Sequence, residues 1–250
     1  MAGPGVVKAA MKSGKKSICA GPGNPPVIVD ETADPKKAAC DIIAGGAFDN
    51  NLLCIGEKEI FVTEAAASAF MRELENNGAE RISSSALDRL TNEVFEKKSG
   101  GYALRRALVG KDPQVLARAA GAEISPKTKM LFAETDASHP FVIEEQMMPM
   151  VPVVVVKNFE EAVRAAAKAE RNYRHSAIIH SLDVTRMTEM ARVLNTTLFV
   201  KNGPSTAGLG LGGEGYLSYS IATATGEGIS NPKTFTRRRR CVMVGNLNIF

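Results

Sequence analysis

The feature that most constrains the fold is a regular alternation of strand-like and helix-like segments in the second half of the chain. Residues 151–157 form a β-branched run typical of a strand buried on both faces, and they lead into an alanine-rich helix predicted over 160–171. A strand over 177–180, a helix over 183–194 and a strand over 198–201 follow. This order predicts an α/β domain with a largely parallel sheet flanked by helices.

The first half of the chain continues the same pattern. Asp34 supplies an N-cap and Pro35 an N1 proline for a helix that ends near Ala44. A later helix is capped by Asp112 and closed by Gly121. The other predicted elements here are strands over 26–29 and 60–63 and helices over 65–76 and 84–97.

After Asn202 the pattern changes to a glycine-rich loop. A strand-like segment over 216–223 and a final strand over 240–244 follow. We expect residues 236–250 to form a β tail that leaves the body of the domain. An exposed strand edge of this kind commonly pairs with another subunit, so a homo-oligomer is the expected state.

Composition excludes several classes of protein. With 250 residues and 44% hydrophobic content, the chain can bury a substantial core. Its four cysteines show no C-x-x-C spacing and no nearby paired histidines, so we expect neither a metal site nor a disulfide framework, and a reducing cytosolic compartment fits best. No apolar run approaches the roughly 20 residues that span a bilayer, and no signal-peptide pattern is present, so no membrane partner is expected.

The net charge of +4 does not by itself indicate nucleic-acid binding. Most of the excess positive charge lies in residues 237–240, a run of four arginines. Such a run can contact phosphates, but no aromatic side chain is interleaved with it to stack on bases, and the chain contains no tryptophan.

Cys54 is the candidate nucleophile. It ends residues 48–54 (FDNNLLC), an irregular polar-then-apolar turn between a predicted helix and a predicted strand. A lone cysteine is more often a small buried hydrophobe than a catalyst, so the surrounding segments are needed to distinguish a structural from a catalytic role. One of the three histidines, His139, His175 or His180, could serve it as a base, yet no protease-like sequence surrounds it.

Two glycine-containing segments and an acidic pair could bind anions or ribose. Residues 208–213 (GLGLGG) match the dinucleotide fingerprint, but it requires a strand just before and a helix just after, so we predict a close-packed loop instead. Gly3 precedes a helical run and could present an amide to an anion, although a simple turn is the local alternative. Glu144 or Glu145 could accept hydrogen bonds from a ribose diol beside an apolar stretch.

Taken together, several segments resemble the aldehyde dehydrogenase superfamily, and most closely its CoA-acylating branch, the propionaldehyde and acetaldehyde dehydrogenases of bacterial microcompartments. The resemblance covers essentially the whole chain, in the expected order. The segments are 21–26 (GPGNPP), 29–34 (VDETAD), 48–54 (FDNNLLC), 144–149 (EEQMMP), 200–205 (VKNGPS) and 212–215 (GGEG).

The resemblance implies a catalytic role for Cys54, whose thiolate would attack an aldehyde and form a thioester after hydride transfer to NAD. The thiol of coenzyme A would then take the acyl group. Glu145 is similar to the family's ribose-binding glutamate, and Gly3 to its phosphate contact at a helix terminus. Hydrolytic relatives carry a glutamate base at the position of Cys19, so slow attack by water and preference for CoA are implied.

The resemblance also implies a fragment of a longer enzyme. Residues 1–22 would be a remnant of the nicotinamide-binding domain, 23–235 the catalytic domain and 236–250 an oligomerisation tail, so the full reaction is not expected of this chain alone. The implied setting is the cytoplasm, inside a bacterial microcompartment with its shell or cargo proteins as partners. A non-catalytic interaction module and a hydrolytic aldehyde dehydrogenase are the alternatives, and propionaldehyde against acetaldehyde and NAD against NADP stay open.

Overall fold

The computed structural model describes residues 4–245. Its α-helices are α1 (Pro4–Lys12), α2 (Pro35–Gly46), α3 (Glu64–Asn76), α4 (Ser84–Val94), α5 (Pro113–Ala119), α6 (Pro140–Ile143), α7 (Phe159–Glu170) and α8 (Val184–Leu194). Its strands are β1 (Pro26–Val29), β2 (Glu59–Thr63), β3 (Ala79–Arg81), β4 (Phe95–Lys98), β5 (Gly101–Leu104), β6 (Met130–Glu134), β7 (Met150–Val156), β8 (Ser176–His180), β9 (Leu198–Lys201), β10 (Ile221–Ala222) and β11 (Gly228–Ile229).

Seven of the strands form one parallel sheet, in the order β3-β6-β7-β2-β1-β8-β9. Parallel neighbours cannot be joined by a tight turn, so helices cross between them and cover both faces. The predicted α/β class with a largely parallel sheet is confirmed.

The two faces of the sheet are covered by different helices because strand side chains alternate in direction. Val27 and Ile60 face α2 and α3. Ile28 and Phe61 point the opposite way, toward α7 and α8. Leu131 lies on the same side as Ile28 and packs against α4 and α5 at the other end of the sheet.

The two aspartates predicted as helix caps behave differently. Asp112 stands at the start of α5 but accepts no capping bond from it, because its carboxylate accepts from the Asn50 amide instead. The side chain of Asp34 accepts from the N–H groups of Lys36 and Lys37, with Pro35 in the first turn. Two caps were not predicted: Asn158 accepts from the N–H of Glu161 at the start of α7, and Asp183 accepts from two N–H groups of the first turn of α8. These bonds satisfy donors that a helix N-terminus leaves free, and the three capped helices begin within one residue of their predicted starts.

The helix predicted over 84–97 is too long. It ends at Val94, and β4 pairs antiparallel with β5 instead. Phe95, the first residue of β4, packs edge-on against Phe141 at 4.9 Å between ring centroids. Burial of this ring favours extended backbone over one more helical turn. Strands β3 and β6 are additional elements that the sequence did not predict.

Two predicted strands near the C-terminus are wrong within the described residues. Only Ile221–Ala222 of the segment 216–223 pairs, with Gly228–Ile229. Residues 240–244 form no strand and are exposed, because no neighbouring strand of the described chain lies beside them to accept their hydrogen bonds. Residues 246–250 of the predicted tail lie outside the described part. No helix within residues 4–245 is long and apolar enough to cross a membrane.

Candidate active site

The sequence-selected residues meet at one edge of the sheet. Cys54 precedes β2, Glu145 precedes β7, Asn24 precedes β1 and His175 precedes β8. These four strands are neighbours in the sheet, in the order β7-β2-β1-β8. Because the strands are parallel, the segments that enter them converge on the amino-terminal edge, and the candidate site lies there.

The turn that carries Cys54 has an unusual backbone. Asp49, Asn50 and Asn51 are consecutive left-handed residues with φ of 47°, 51° and 58°. Asn and Asp tolerate this conformation better than most residues, although it costs about 1–2 kcal/mol per L-residue. The Asn50 amide anchors the turn by donating to Asp112 Oδ1 at 2.9 Å. The irregular turn predicted from the sequence is confirmed.

Cys54 is half-buried against an apolar wall. Burial raises the pKa of its thiol, the charge of Glu145 raises that pKa further, and Lys58 opposes both effects. Its wall is formed by Leu53, Ile55, Leu198, Leu209, Ile221 and Ile229. The thiol is therefore reachable, and the charges around it control how readily it ionises.

The structure separates the two adjacent glutamates. Glu144 is paired with Arg171, whose NH2 group donates to its Oε1 at 3.1 Å. No described residue donates a hydrogen bond to Glu145, whose pKa is raised by burial and lowered by Lys58. Because Glu145 acts electrostatically on Cys54, the two residues selected from distant segments lie in the same site.

A buried charged run just after Cys54 was missed in the sequence. Glu57, Lys58 and Glu59 are all fully buried. The Lys58 ammonium donates to both Asn51 O and Asn51 Oδ1 at 2.7 Å. A charged run is usually a solvated surface, and the available signal was its position between a candidate nucleophile and a buried strand.

Glu57 joins this run to the loop after β9. Its carboxylate accepts from Ser205 N and Ser205 Oγ, both at 2.8 Å. Burial raises its pKa to about 7, with the two Ser205 bonds opposing that effect. Gly45 of α2 lies against the same carboxylate and leaves no room for a Cβ.

His175 lies beside the site but forms no hydrogen bond with the thiol. Its ring packs on Gly23, a Cβ on which would approach both the ring and the Cys54 carbonyl. Its Nδ1 is bonded to Ser176 Oγ at 2.8 Å, and burial lowers its pKa to about 4. His139 lies near Thr91 instead, and His180 is at the opposite edge of the sheet. A thiol–histidine dyad is thus not formed by the described residues.

A model described as the aldehyde dehydrogenase family matches residues 1–215. The chain belongs to the aldehyde dehydrogenase family. A CoA-propanoylating propanal dehydrogenase of Citrobacter freundii is 47% identical to it over 248 residues, which are 99% of this chain and 53% of that enzyme.

Solved structures of aldehyde dehydrogenases share the fold of this chain over nearly its whole length. Rhodopseudomonas palustris propionaldehyde dehydrogenase with bound propionyl-CoA is 47% identical, with a TM-score of 0.92 over 97% of this chain and 53% of that one. Another structure of that enzyme holds CoA and an acylated cysteine. The propionaldehyde dehydrogenase of the Clostridium phytofermentans fucose utilisation microcompartment is 46% identical, with a TM-score of 0.91 over 96% and 55%. This chain spans about half the length of these relatives.

Three further positions bear on the expectations taken from aldehyde dehydrogenases. Gly3 lies outside the described residues. Cys19 is buried, and its N–H donates to Thr225 Oγ1 at 3.0 Å. The glycine-rich segment 208–213 connects no strand to a helix N-terminus; Gly208 instead packs on Leu198, a residue of the Cys54 wall. The predicted close-packed loop is confirmed.

Proposed function

We propose that this chain is the catalytic half of a CoA-acylating aldehyde dehydrogenase that converts propionaldehyde, or a similar short aldehyde, to its acyl-CoA through a thioester on Cys54. The observation that carries the proposal is the convergence of Cys54 and Glu145 on adjacent strands of the sheet. The names of the matched relatives support the substrate class, and the acylated cysteine of one relative supports a covalent intermediate.

The reaction divides into two steps on Cys54. In the oxidative step the thiolate attacks the aldehyde carbon to form a thiohemiacetal. A bound nicotinamide would supply the hydride acceptor for its conversion to the thioester. In the second step CoA attacks the thioester carbon, the Cys54–acyl bond breaks, and Cys54 leaves as the thiolate while CoA gives up its thiol proton. Covalent catalysis thus replaces one difficult transfer by two easier ones.

The residues present fit a nicotinamide ribose at one described point. Glu145 is a half-buried carboxylate that accepts no hydrogen bond from the described residues, and it lies near the nucleophile. A carboxylate so placed can accept from a ribose diol and hold the adjoining ring toward Cys54. We propose Glu145 and Gly3 as contacts to NAD or NADP. An engineered glycolyl-CoA reductase whose solved structure is 46% identical to this chain has NADP⁺ bound.

Cys19 distinguishes the acylating from the hydrolytic reaction. A buried thiol is a poor general base for water, so the thioester on Cys54 should persist until CoA arrives.

The microcompartment origin of one relative supports a similar setting for this protein, in the cytoplasm and in contact with shell or cargo proteins. We propose a homo-oligomer formed through the exposed C-terminal segment, whose arginines would lie at the rim of the interface.

Acylation of Cys54 by propionyl-CoA tests the proposal, because this half-reaction needs no nicotinamide. The Cys54 thiolate attacks the thioester carbonyl, and CoA leaves as the thiolate and takes the proton that Cys54 released. We expect intact-mass spectrometry to show one propionyl group on the unmodified sequence and on Cys40→Ala, which lacks one of the two exposed cysteines. Cys54→Ala should carry none.

Two results would count against the proposal. A folded protein without any adduct would show that Cys54 is not an acyl acceptor in this chain. An adduct on Cys54→Ala would show that acylation is a non-specific reaction of the exposed Cys40 or Cys241.

A further inference from the structure

Lys58 is a buried cation with an unusual set of partners. Its side chain is fully enclosed, yet its two described hydrogen bonds go to uncharged oxygens of one residue, Asn51, at 2.7 Å each. The ammonium of a buried lysine is costly unless several acceptors and opposite charges surround it. A lysine retained in this position therefore needs an explanation beyond packing.

Asn51 places these bonds directly under the nucleophile turn. It is the last of the three left-handed residues and lies three positions before Cys54. Its side-chain amide donates to Glu57 O at 2.8 Å, while its side-chain oxygen accepts from Lys58. One side chain therefore connects the turn to the two residues that follow it before β2. Without Lys58, the Asn51 carbonyl and side-chain oxygens would be buried acceptors without a donor. Lys58 is thus hydrogen-bonded to the strained turn that ends at Cys54.

Lys58 is also tied to the segment of Glu145. Gln146, the next residue, donates from Nε2 to Lys58 O at 2.7 Å and to Met150 O at 3.0 Å. Burial lowers the pKa of Lys58, and the charges of Glu145 and then Cys54 most strongly oppose that effect. The ammonium therefore interacts electrostatically with Glu145 and Cys54, the two residues that the sequence selected.

The charges that surround the thiol come from three elements. Glu145 faces it from the start of β7, and Lys58 from the start of β2, where Glu57 and Glu59 are the adjoining buried carboxyls. His175, at the start of β8, is uncharged near neutral pH because burial lowers its pKa to about 4. Lys58 is consequently the cation that acts on both Cys54 and Glu145, whereas Arg171 pairs with Glu144 and lowers the pKa of Glu59.

We propose that Lys58 is a positioning residue for Cys54: it fixes the turn through Asn51 and supplies the positive charge that offsets Glu145 at the thiol. This inference deepens the proposed function, since a thiolate is the species that attacks both an aldehyde and an acyl-CoA. Lys58 lies outside the site predicted from the sequence, and its role is to set the pH at which Cys54 ionises.

The pH dependence of Cys54 alkylation by iodoacetamide tests the inference. We would use a Cys40→Ser, Cys241→Ser background, which removes the exposed thiols. With Lys58→Met we expect the midpoint of the rate profile to move to higher pH. Near neutral pH the rate should fall about three- to tenfold, since fewer thiols are ionised although each thiolate is more nucleophilic. Lys36→Met, at an exposed lysine, is the matched control and should leave the profile unchanged.

Glu145→Gln gives the opposite sign. If Lys58→Met does not fold, Lys58→Gln replaces it throughout, because glutamine removes the charge but can still donate to Asn51. Removing the carboxylate should move the midpoint to lower pH, because Glu145 raises the pKa of the thiol. Adding Lys58→Met to Glu145→Gln removes the pair of opposite charges together and should move the midpoint back up. Profiles that coincide, either for Lys58→Met and Lys36→Met or for the double variant and Glu145→Gln, would overturn the inference.

The alkylation assay is independent of acyl-CoA chemistry. A shifted profile in a chain that propionyl-CoA does not acylate would uphold the role of Lys58 and reject the proposed function. Normal acylation with an unshifted profile would do the reverse.

Discussion

Replacing Glu57 by glutamine should change how stability depends on pH. Glu57 is fully buried, and burial raises the pKa of its carboxyl from 4.5 to about 7 against the two bonds from Ser205. The folded protein therefore holds a proton on Glu57 that the unfolded chain releases at lower pH. Its contribution to stability is fully present below about pH 4.5 and is lost as pH rises through about 7.

The size of this effect follows from the shift. Each pKa unit corresponds to about 1.4 kcal/mol, so a rise from 4.5 to about 7 amounts to about 3 kcal/mol of unfolding free energy. Glu57→Gln cannot titrate and keeps one oxygen as an acceptor. Its amide group loses one of the Ser205 bonds, which costs about 1 kcal/mol at every pH. The variant should thus be less stable in acid and more stable in mild alkali than the unchanged sequence.

Urea unfolding at about pH 5 and about pH 8 measures the difference. Glu59, Glu145 and Glu170, whose pKa values burial also raises, are present in both proteins and cancel in the comparison. Glu214→Gln, at an exposed glutamate, is the control and should show no pH-dependent difference. If the variant and the unchanged sequence differ in unfolding free energy by the same amount at both pH values, the raised pKa of Glu57 is refuted. A difference of the opposite sign would show that Ser205 and Lys58 favour the ionised carboxylate.

Two further substitutions test the packing around this network. Gly45→Ala should lower the free energy of unfolding by about 1–3 kcal/mol, because its Cβ would overlap the Glu57 carboxylate; Gly5→Ala, a helical position with open space, should cost nothing. Asp34→Ala should cost about 1 kcal/mol through the lost cap of α2, while leaving Cys54 alkylation unchanged. Thermal and urea unfolding of the three variants check these values.

The parts of the fold that the sequence predicts are those with a local cause. The caps at Asp34 and Asp183 and the β-branched run of β7 act on their own neighbours, so their elements begin where expected. Strand β3 contains alanine, glutamate and arginine, and it is extended only because β6 lies beside it. The same dependence ends α4 at Val94, where β5 is available as a partner for β4.

The candidate site also combines features with a local cause and features that depend on tertiary neighbours. An irregular turn ending in Cys54 and an acidic pair beside an apolar stretch are visible in the sequence, but their meeting depends on β2 and β7 being neighbours. The residue pattern alone does not distinguish Glu144 from Glu145; the family resemblance selects Glu145, and in the structure the ion pair of Glu144 with Arg171 separates the two. Lys58 is missed because its burial is a property of the assembled sheet.

The strained turn and the buried charges are best understood as one system. Left-handed backbone from Asp49 to Asn51 is costly, and so is an enclosed lysine, yet each satisfies the other: Asn51 gives Lys58 two acceptors, and Lys58 fixes Asn51. Apolar residues in place of the charged run could raise stability, as they do for many buried ion pairs. They would also release the turn and remove the cation that faces Cys54. The cluster therefore lowers the stability of the fold, but it holds the thiol at a defined position and among defined charges.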